Sequence, residues 1–149
     1  MLIHLKGLDI LKKNSILFLC TGNSCRSQIA EGFAKKILSK NFHIKSAGTE
    51  AHGLNPYTVK TMNEIGIDIS HHKSKKINNN EIEQFDLVIT LCGDAKDKCP
   101  VLNLTKHIHW DIPDPANFKG NELDTKKKYS EVRELILNKM KQFKKEEKL

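Results

Sequence analysis

The sequence predicts a single α/β domain, a parallel sheet flanked by helices. Three observations carry this reading. Short apolar runs of strand length alternate along the chain with segments of helical periodicity, as expected where helices cross between parallel strands. No repeat, low-complexity tract or linker divides the 149 residues, a length suited to one hydrophobic core. Cys20, Cys92 and Trp110-Asp111 all fall at C-terminal ends of predicted strands, the edge where such sheets bind ligands.

The N-terminal stretch MLIHLKGLDILKKN lacks a charged region followed by a long apolar run and a small-residue cleavage site. Residues 1–14 are therefore expected to be an extension, neither signal peptide nor anchor, and residues 15–149 the domain. Ser15 to Cys20 (SILFLC) is a buried strand, and a small polar loop follows at once. From Ser27 onward Ile29, Ala30, Phe33, Ala34, Ile37 and Leu38 recur at helical spacing, with Glu31, Lys35 and Lys36 opposite. His43 to Thr49 reads as a second strand. Asn55-Pro56 opens a helix, with Pro56 at a favourable first position, that ends near Gly66. Asn78 to Gln84 reads as a short helix, Phe85 to Leu91 as a third strand and Lys106 to Trp110 as a weaker fourth. A long helix from about Thr125 carries Tyr129, Val132, Ile136, Met140 and Phe143 on one stripe.

Composition excludes several classes. Apolar residues make up 38% and charged residues 29%, ordinary for a globular chain. The longest apolar stretches are strand-sized, well short of the roughly 18 residues a membrane span needs. The balance of 25 basic against 18 acidic residues gives +7, which can steer small anions to a site. Nucleic-acid binding is not expected, because Lys126-Lys127-Lys128 is mixed with Glu131 and Glu134 as on a solvated helix face. Without a secretory signal, Cys20, Cys25, Cys92 and Cys99 are metal ligands, reactive thiols or buried residues rather than a disulfide framework. No metal is expected. The spacing of Cys92 and Cys99 lacks the short pairing of zinc sites, and His107 and His109 alternate on one face of a strand. His71-His72 reads as solvated loop.

The segment Cys20-Thr21-Gly22-Asn23-Ser24-Cys25-Arg26 has the form C-x5-R between a strand and a helix. Such a loop turns backbone N–H groups inward and makes an anion nest at a helix N-terminus. Gly22 permits unusual dihedrals and Asn23 tolerates a left-handed one. Arg26 adds a planar fork of donors for two oxygens of a tetrahedral oxyanion. The amides, the helix N-terminus and the guanidinium all favour Cys20 as thiolate, and the Ser27 hydroxyl can donate to it. Cys20 is thus a candidate nucleophile aimed at a bound oxyanion. Cys25 reads as a small buried loop residue. Asp114, before Pro115, reads equally well as an acid or as a turn residue, with Asp111 a nearby rival.

Together CTGNSCRSQIAEG, SAGTEAHGLNP, DLVITLCGDAKDKCP and HWDIPDPAN resemble the thioredoxin-coupled arsenate reductases built on the low-molecular-weight protein tyrosine phosphatase fold. The resemblance runs from about Ser15 to the final helix. It implies a four-stranded parallel sheet, reduction of arsenate to arsenite, no cofactor, thioredoxin as reductant, and a monomeric cytoplasmic enzyme. It matches Cys20 to the nucleophile, Arg26 to the oxyanion-binding arginine and Asp114 to the general acid. Thr21 to Cys25 form the rest of the oxyanion loop. Cys92 and Cys99 match the second and third redox cysteines. A phosphatase acting through a Cys20 phosphocysteine has no use for them; a reductase does, by sequential thiol–disulfide exchange. The intervening GDAKDK is polar and helix-like. A helix would hold the two sulfurs apart, since a bridge needs α-carbons within about 7 Å, so this segment is expected to loop out.

Two further readings accompany the resemblance. Tyrosine phosphatases usually place an aromatic after Asp-Pro, where Ala116 and Asn117 stand here; a module that binds oxyanion without turnover is a third possibility. Members of the class often carry a potassium site. Asn23, Glu31 and Ser46 match part of it, but two further ligand positions fall on Lys73 and Lys75, so no potassium dependence is expected.

Overall fold

In the computed structural model, residues 14–91, 106–147 and 149 are described. The first strand, β1 (Ser15–Cys20), is buried on both faces. Ile16 and Phe18 join the larger core cluster, while Leu17 and Leu19 join a smaller one on the other face. A strand covered on both sides has no polar face, which is why its sequence is a continuous apolar run. Four strands form one parallel sheet in the order β2 (His43–Gly48), β1, β3 (Leu87–Thr90), β4 (His107–His109). The chain leaves β1 for one neighbour and later returns to the other side. The carboxyl end of β1 therefore lies at the switch point, the crevice where open α/β sheets bind ligands.

Helix α1 (Arg26–Ile37) buries Ile29, Ala30, Phe33 and Ala34 against the face of Ile16, Phe18, Leu87 and Ile89. The long C-terminal helix α4 (Glu122–Glu147) lays Val132, Ile136, Met140 and Phe143 into the same cluster. Helix α2 (Pro56–Asn63) adds Met62 there. Asn55 caps α2 through its side chain, which accepts the Tyr57 N–H at 2.9 Å. The other sheet face is covered differently. Among the described residues its helix is the four-residue α3 (Asn79–Ile82), whose Ile82 packs with Leu17, Leu19, Ala47 and Val88. Asn78 and Glu81 close a reciprocal capping box around it.

Several element ends differ by one to three residues from the sequence reading, and single side chains account for two of the shifts. Strand β3 begins at Leu87 rather than Phe85, because the Asp86 carboxylate takes both the Ser15 N–H (2.9 Å) and the Ser15 hydroxyl (3.0 Å). Side-chain bonds replace the ladder there. Helix α4 begins three residues before Thr125. Asn121 Oδ1 accepts the Asp124 N–H at 2.7 Å, an N-cap lying ahead of the apolar stripe that signalled the helix. The stripe itself is buried as expected, Tyr129 included. No helix among the described residues is long and apolar enough to cross a membrane.

Candidate active site

Cys20 ends β1 and is 2% exposed, and residues 21–25 turn directly into α1. The segment after β2 runs alongside this turn and takes its carbonyls. Thr49 N–H donates to Cys20 O (3.2 Å), Glu50 N–H to Thr21 O (2.8 Å), His52 N–H to Gly22 O (2.9 Å) and Asn55 N–H to Ser24 O (3.2 Å). In a trans peptide the N–H points opposite to the C=O. With these carbonyls drawn outward, the N–H groups of Thr21, Gly22, Asn23 and Cys25 turn toward the loop interior. Inward N–H groups of this kind are what an anion nest requires.

Two glycines make the fit possible. A Cβ at Gly48 would lie 2.4 Å from Glu50 O, 2.5 Å from Thr21 O and 2.8 Å from Asn23 N, all backbone atoms that cannot step aside. Gly48→Ala is therefore expected to destabilise the fold by about 1–3 kcal/mol and to distort the loop. Urea unfolding checks the first effect, and loss of phosphate protection of Cys20 from alkylation checks the second. Gly22 has a different reason from the one expected. Its φ is not positive; a Cβ there would meet the His52 ring, with Nδ1 at 2.3 Å. The left-handed residue is Asn23, at φ 48°.

The side chain of Asn23 lies behind the loop rather than on the cavity wall. Its Nδ2 donates to Ser27 Oγ (2.8 Å) and to Ser46 Oγ (3.0 Å). Its Oδ1 accepts from Gln28 Nε2 (2.9 Å) and from the Lys75 N–H (2.8 Å). These bonds orient two hydroxyls. Ser27 already accepts from Asn23, so its own proton is available to Cys20 Sγ, 2.8 Å away. Ser46 likewise donates to the buried Glu31 Oε1 at 2.5 Å. Cys20 thus faces one hydroxyl whose position is fixed from behind the loop.

Arg26 closes the opposite side. Its Nη1 donates to Ile112 O (3.1 Å) and its Nη2 lies 3.3 Å from Asp114 Oδ2. Its Nε is buried without a hydrogen-bond partner. Asp114 also accepts the Ala116 N–H at 3.0 Å, at the start of a short 3-10 turn (Pro115–Asn117). A cavity of about 260 Å³ is lined by Cys20, Thr21, Gly22, Ser24, Cys25, Arg26, His52, Asp114 and Ala116. Asp114 is on its wall; the rival Asp111 is exposed and is not. Cys25 is buried, with Sγ 3.8 Å from Tyr129 Oη, and burial pushes its thiol up. It stays a thiol while Cys20 is the candidate nucleophile. Burial likewise pushes the Tyr129 hydroxyl up. Cys92 and Cys99 lie outside the described residues, as does GDAKDK between them.

Beneath the loop, Glu31 is surrounded by Lys35 Nζ (2.5 Å) and by His72 Nε2 (3.7 Å). Burial alone would raise its carboxyl; the hydrogen bonds from Lys35 and Ser46 and the neighbouring positive charge outweigh it, and the net shift is downward. Lys75, a departure from the potassium-site pattern, places Nζ 2.8 Å from Lys73 O, and burial pulls its ammonium down. No group of three or more His, Cys, Asp or Glu residues among the described residues is arranged to hold a metal. His107 and His109 share one strand face as expected, with Nε2 and Nδ1 at 3.0 and 2.7 Å from Thr90 Oγ1.

His72 corrects the sequence reading. It is not solvated: its side chain is 5% exposed, with Nδ1 donating to Gln28 Oε1 at 3.0 Å. Only His71 of the pair is exposed. Burial lowers His72 below its ordinary 6.5, against the pull of Glu31. The unfolded chain thus takes up this proton before the folded one, and stability is lost as pH falls below about 6.5. Glu31 acts in the same direction at lower pH, since its depressed carboxyl contributes stability that disappears on protonation. Chemical denaturation between pH 7.5 and 5.5 is expected to show this loss, with a shallower slope in His72→Gln. Equal slopes would remove His72 as the cause.

The comparisons with known proteins agree with this fold. The arsenate reductase of Bacillus subtilis (strain 168) is 49% identical over 134 residues, 89% of this chain and 96% of its own length. A solved arsenate reductase in the phosphate binding state superposes with a TM-score of 0.70 at 30% identity, covering 87% of this chain and 95% of that one. The Corynebacterium glutamicum thioredoxin-dependent arsenate reductase superposes with a TM-score of 0.64 at 25% identity, over 89% of this chain and 62% of that one. Residues 15–149 match the family described as low molecular weight phosphotyrosine protein phosphatase. The shared fold, the loop at the end of β1 and this match over the whole described domain agree, and the chain belongs to that family.

Proposed function

We propose that the protein reduces arsenate to arsenite, with Cys20 as nucleophile and Cys92 and Cys99 as its redox relay. The observation that carries the reading is the combination of a phosphatase-type oxyanion loop with two further cysteines that hydrolysis does not need. Near-half identity to a full-length arsenate reductase supports it. The Cys20 thiolate, held by Ser27, attacks arsenic(V) seated among the loop amides and Arg26. A hydroxyl of the arsenate takes the proton of the Asp114 carboxylic acid, its arsenic–oxygen bond breaks to release water, and a Cys20–arsenic bond forms. Cys92 then attacks Cys20 Sγ. The sulfur–arsenic bond breaks with its electron pair on arsenic, so arsenite leaves and a Cys20–Cys92 disulfide remains. Cys99 attacks Cys92, freeing the Cys20 thiolate and leaving Cys92–Cys99. Thioredoxin reduces that last disulfide, and the enzyme works as a monomer in the cytoplasm, where thiols are kept reduced.

Thiol titration tests the reading. Arsenate without a reductant is expected to consume two thiols per chain and yield a Cys92–Cys99 disulfide by peptide mapping. Phosphate release from an aryl phosphate with thiols unchanged by arsenate would favour the phosphatase, and a single binding event without either would favour a sensor. Asp114→Asn keeps the hydrogen bond to Ala116 but has no proton to give. It is expected to slow formation of the Cys20 adduct by about 10²–10⁴-fold with little effect on arsenate affinity, read in single-turnover kinetics.

A further inference from the structure

The mechanism above uses the loop, Arg26 and Asp114, but the cavity has one more polar wall. His52 lines it from the segment that follows β2. Its backbone N–H is fixed on Gly22 O at 2.9 Å, and its ring lies against Gly22, where the three atoms nearest an added Cβ are all its own. Its Nε2 is 2.7 Å from Glu50 Oε1. Glu50 is itself fixed through its N–H on Thr21 O at 2.8 Å. Both members of the pair are thereby registered on the oxyanion loop, two residues apart.

A carboxylate at Nε2 requires a hydrogen there, which defines the ring's other edge. Nδ1 lies on the Gly22 side of the ring. It carries a lone pair in the neutral ring and a second N–H in the protonated one. A tetrahedral oxyanion that keeps a hydroxyl suits both states. It donates that hydroxyl to a bare Nδ1, or accepts from a protonated one through another oxygen. An oxyanion seated on the loop amides and Arg26 would leave an outer oxygen, and His52 lines the same cavity.

We propose that His52, oriented by Glu50, is a substrate-binding residue that holds an outer oxygen of the oxyanion through Nδ1. This rests on the reading of the site as an arsenate site and adds a contact that the loop does not supply. It separates binding from chemistry. His52 touches neither Cys20 nor Asp114 in the described structure, so its loss acts on capture rather than on bond making.

The experiment measures arsenate-dependent turnover, and separately the protection of Cys20 from iodoacetamide by arsenate, in four enzymes. These are the wild type, His52→Ala, His52→Leu and His52→Asn. Asparagine places an amide near the Nδ1 position; leucine fills much of the ring's space without a polar atom. In His52→Ala and His52→Leu, KM and the protecting concentration are expected to rise about tenfold, with kcat within about threefold of wild type. In His52→Asn both are expected to return to within about threefold. A KM unchanged in His52→Ala, a rescue by leucine equal to that by asparagine, or a loss confined to kcat would each overturn the proposal. The half-exposed ring is 53% accessible, so the fold does not depend on it, and the Leu–Asn comparison removes any effect of packing. Failure of the arsenate reading would look different: the wild type would not reduce arsenate at all, while the protection assay would still report on His52.

Discussion

Cys20→Ser is expected to abolish arsenate reduction, with turnover reduced by more than about 10⁴-fold, while oxyanion binding survives. The two outcomes separate because the groups that bind and the group that reacts are different. The amides are aimed inward by the carbonyl contacts of residues 49–55, none of which involves the Cys20 side chain. Arg26 is anchored on Ile112 O and beside Asp114, also without Cys20. A serine hydroxyl in place of the thiol keeps a partner in Ser27. It is, however, almost wholly protonated at neutral pH, and no general base lies within hydrogen-bond reach of Cys20 in the described structure; Ser27 is its bonded neighbour. Isothermal titration with phosphate and a coupled turnover assay on the same sample check both halves. Residual turnover at a tenth of the wild-type rate would mean that Cys20 is not the attacking atom.

Cys99→Ser is expected to complete one turnover and stop. Cys20 and Cys92 suffice to form the adduct and expel arsenite, but nothing then attacks Cys92, so the enzyme is trapped as the Cys20–Cys92 disulfide. Cys92→Ser is expected to stop one step earlier, at the Cys20–arsenic adduct. Mass spectrometry of non-reduced peptides distinguishes the two, and quenched-flow measurement of arsenite gives one equivalent for Cys99→Ser and none for Cys92→Ser. Sustained turnover by Cys99→Ser with thioredoxin would eliminate the third cysteine from the relay. The described part of this region ends at Leu91, which donates its N–H to Leu19 O at 3.1 Å, next to the end of β1.

The sheet was legible in the sequence because β1 and β3 are covered on both faces and carry no polar interruption. Helices α1 and α4 were legible through their apolar periodicity, and α2 through Asn55-Pro56 at its start. Boundaries set by single side chains were harder to read. Asp86 clips the start of β3 and Asn121 starts α4, and neither disturbs the hydrophobic pattern that marks an element. At the site, Cys20, Arg26 and Ser27 were readable because the loop that holds them is contiguous in sequence. The surrounding support was not. His52, His72 and Tyr129 reach the loop from residues far along the chain, and a histidine beside a glycine or another histidine has no local signature of burial. Gly22 shows the limit well. Its presence in the loop was evident, but its φ is not positive, and what an added Cβ would meet is the His52 ring, a neighbour thirty residues away.

The central claim is that arsenate drives electrons out of this protein's thiols and that thioredoxin returns them. Oxidation of NADPH by thioredoxin reductase and thioredoxin, with this protein added and arsenate withheld and then supplied, tests it most directly. No oxidation is expected before arsenate and, after it, one NADPH is consumed per arsenite formed until arsenate is exhausted. Absence of arsenate-dependent NADPH oxidation, together with arsenate bound at the loop and Cys20, Cys92 and Cys99 still reduced, would contradict it.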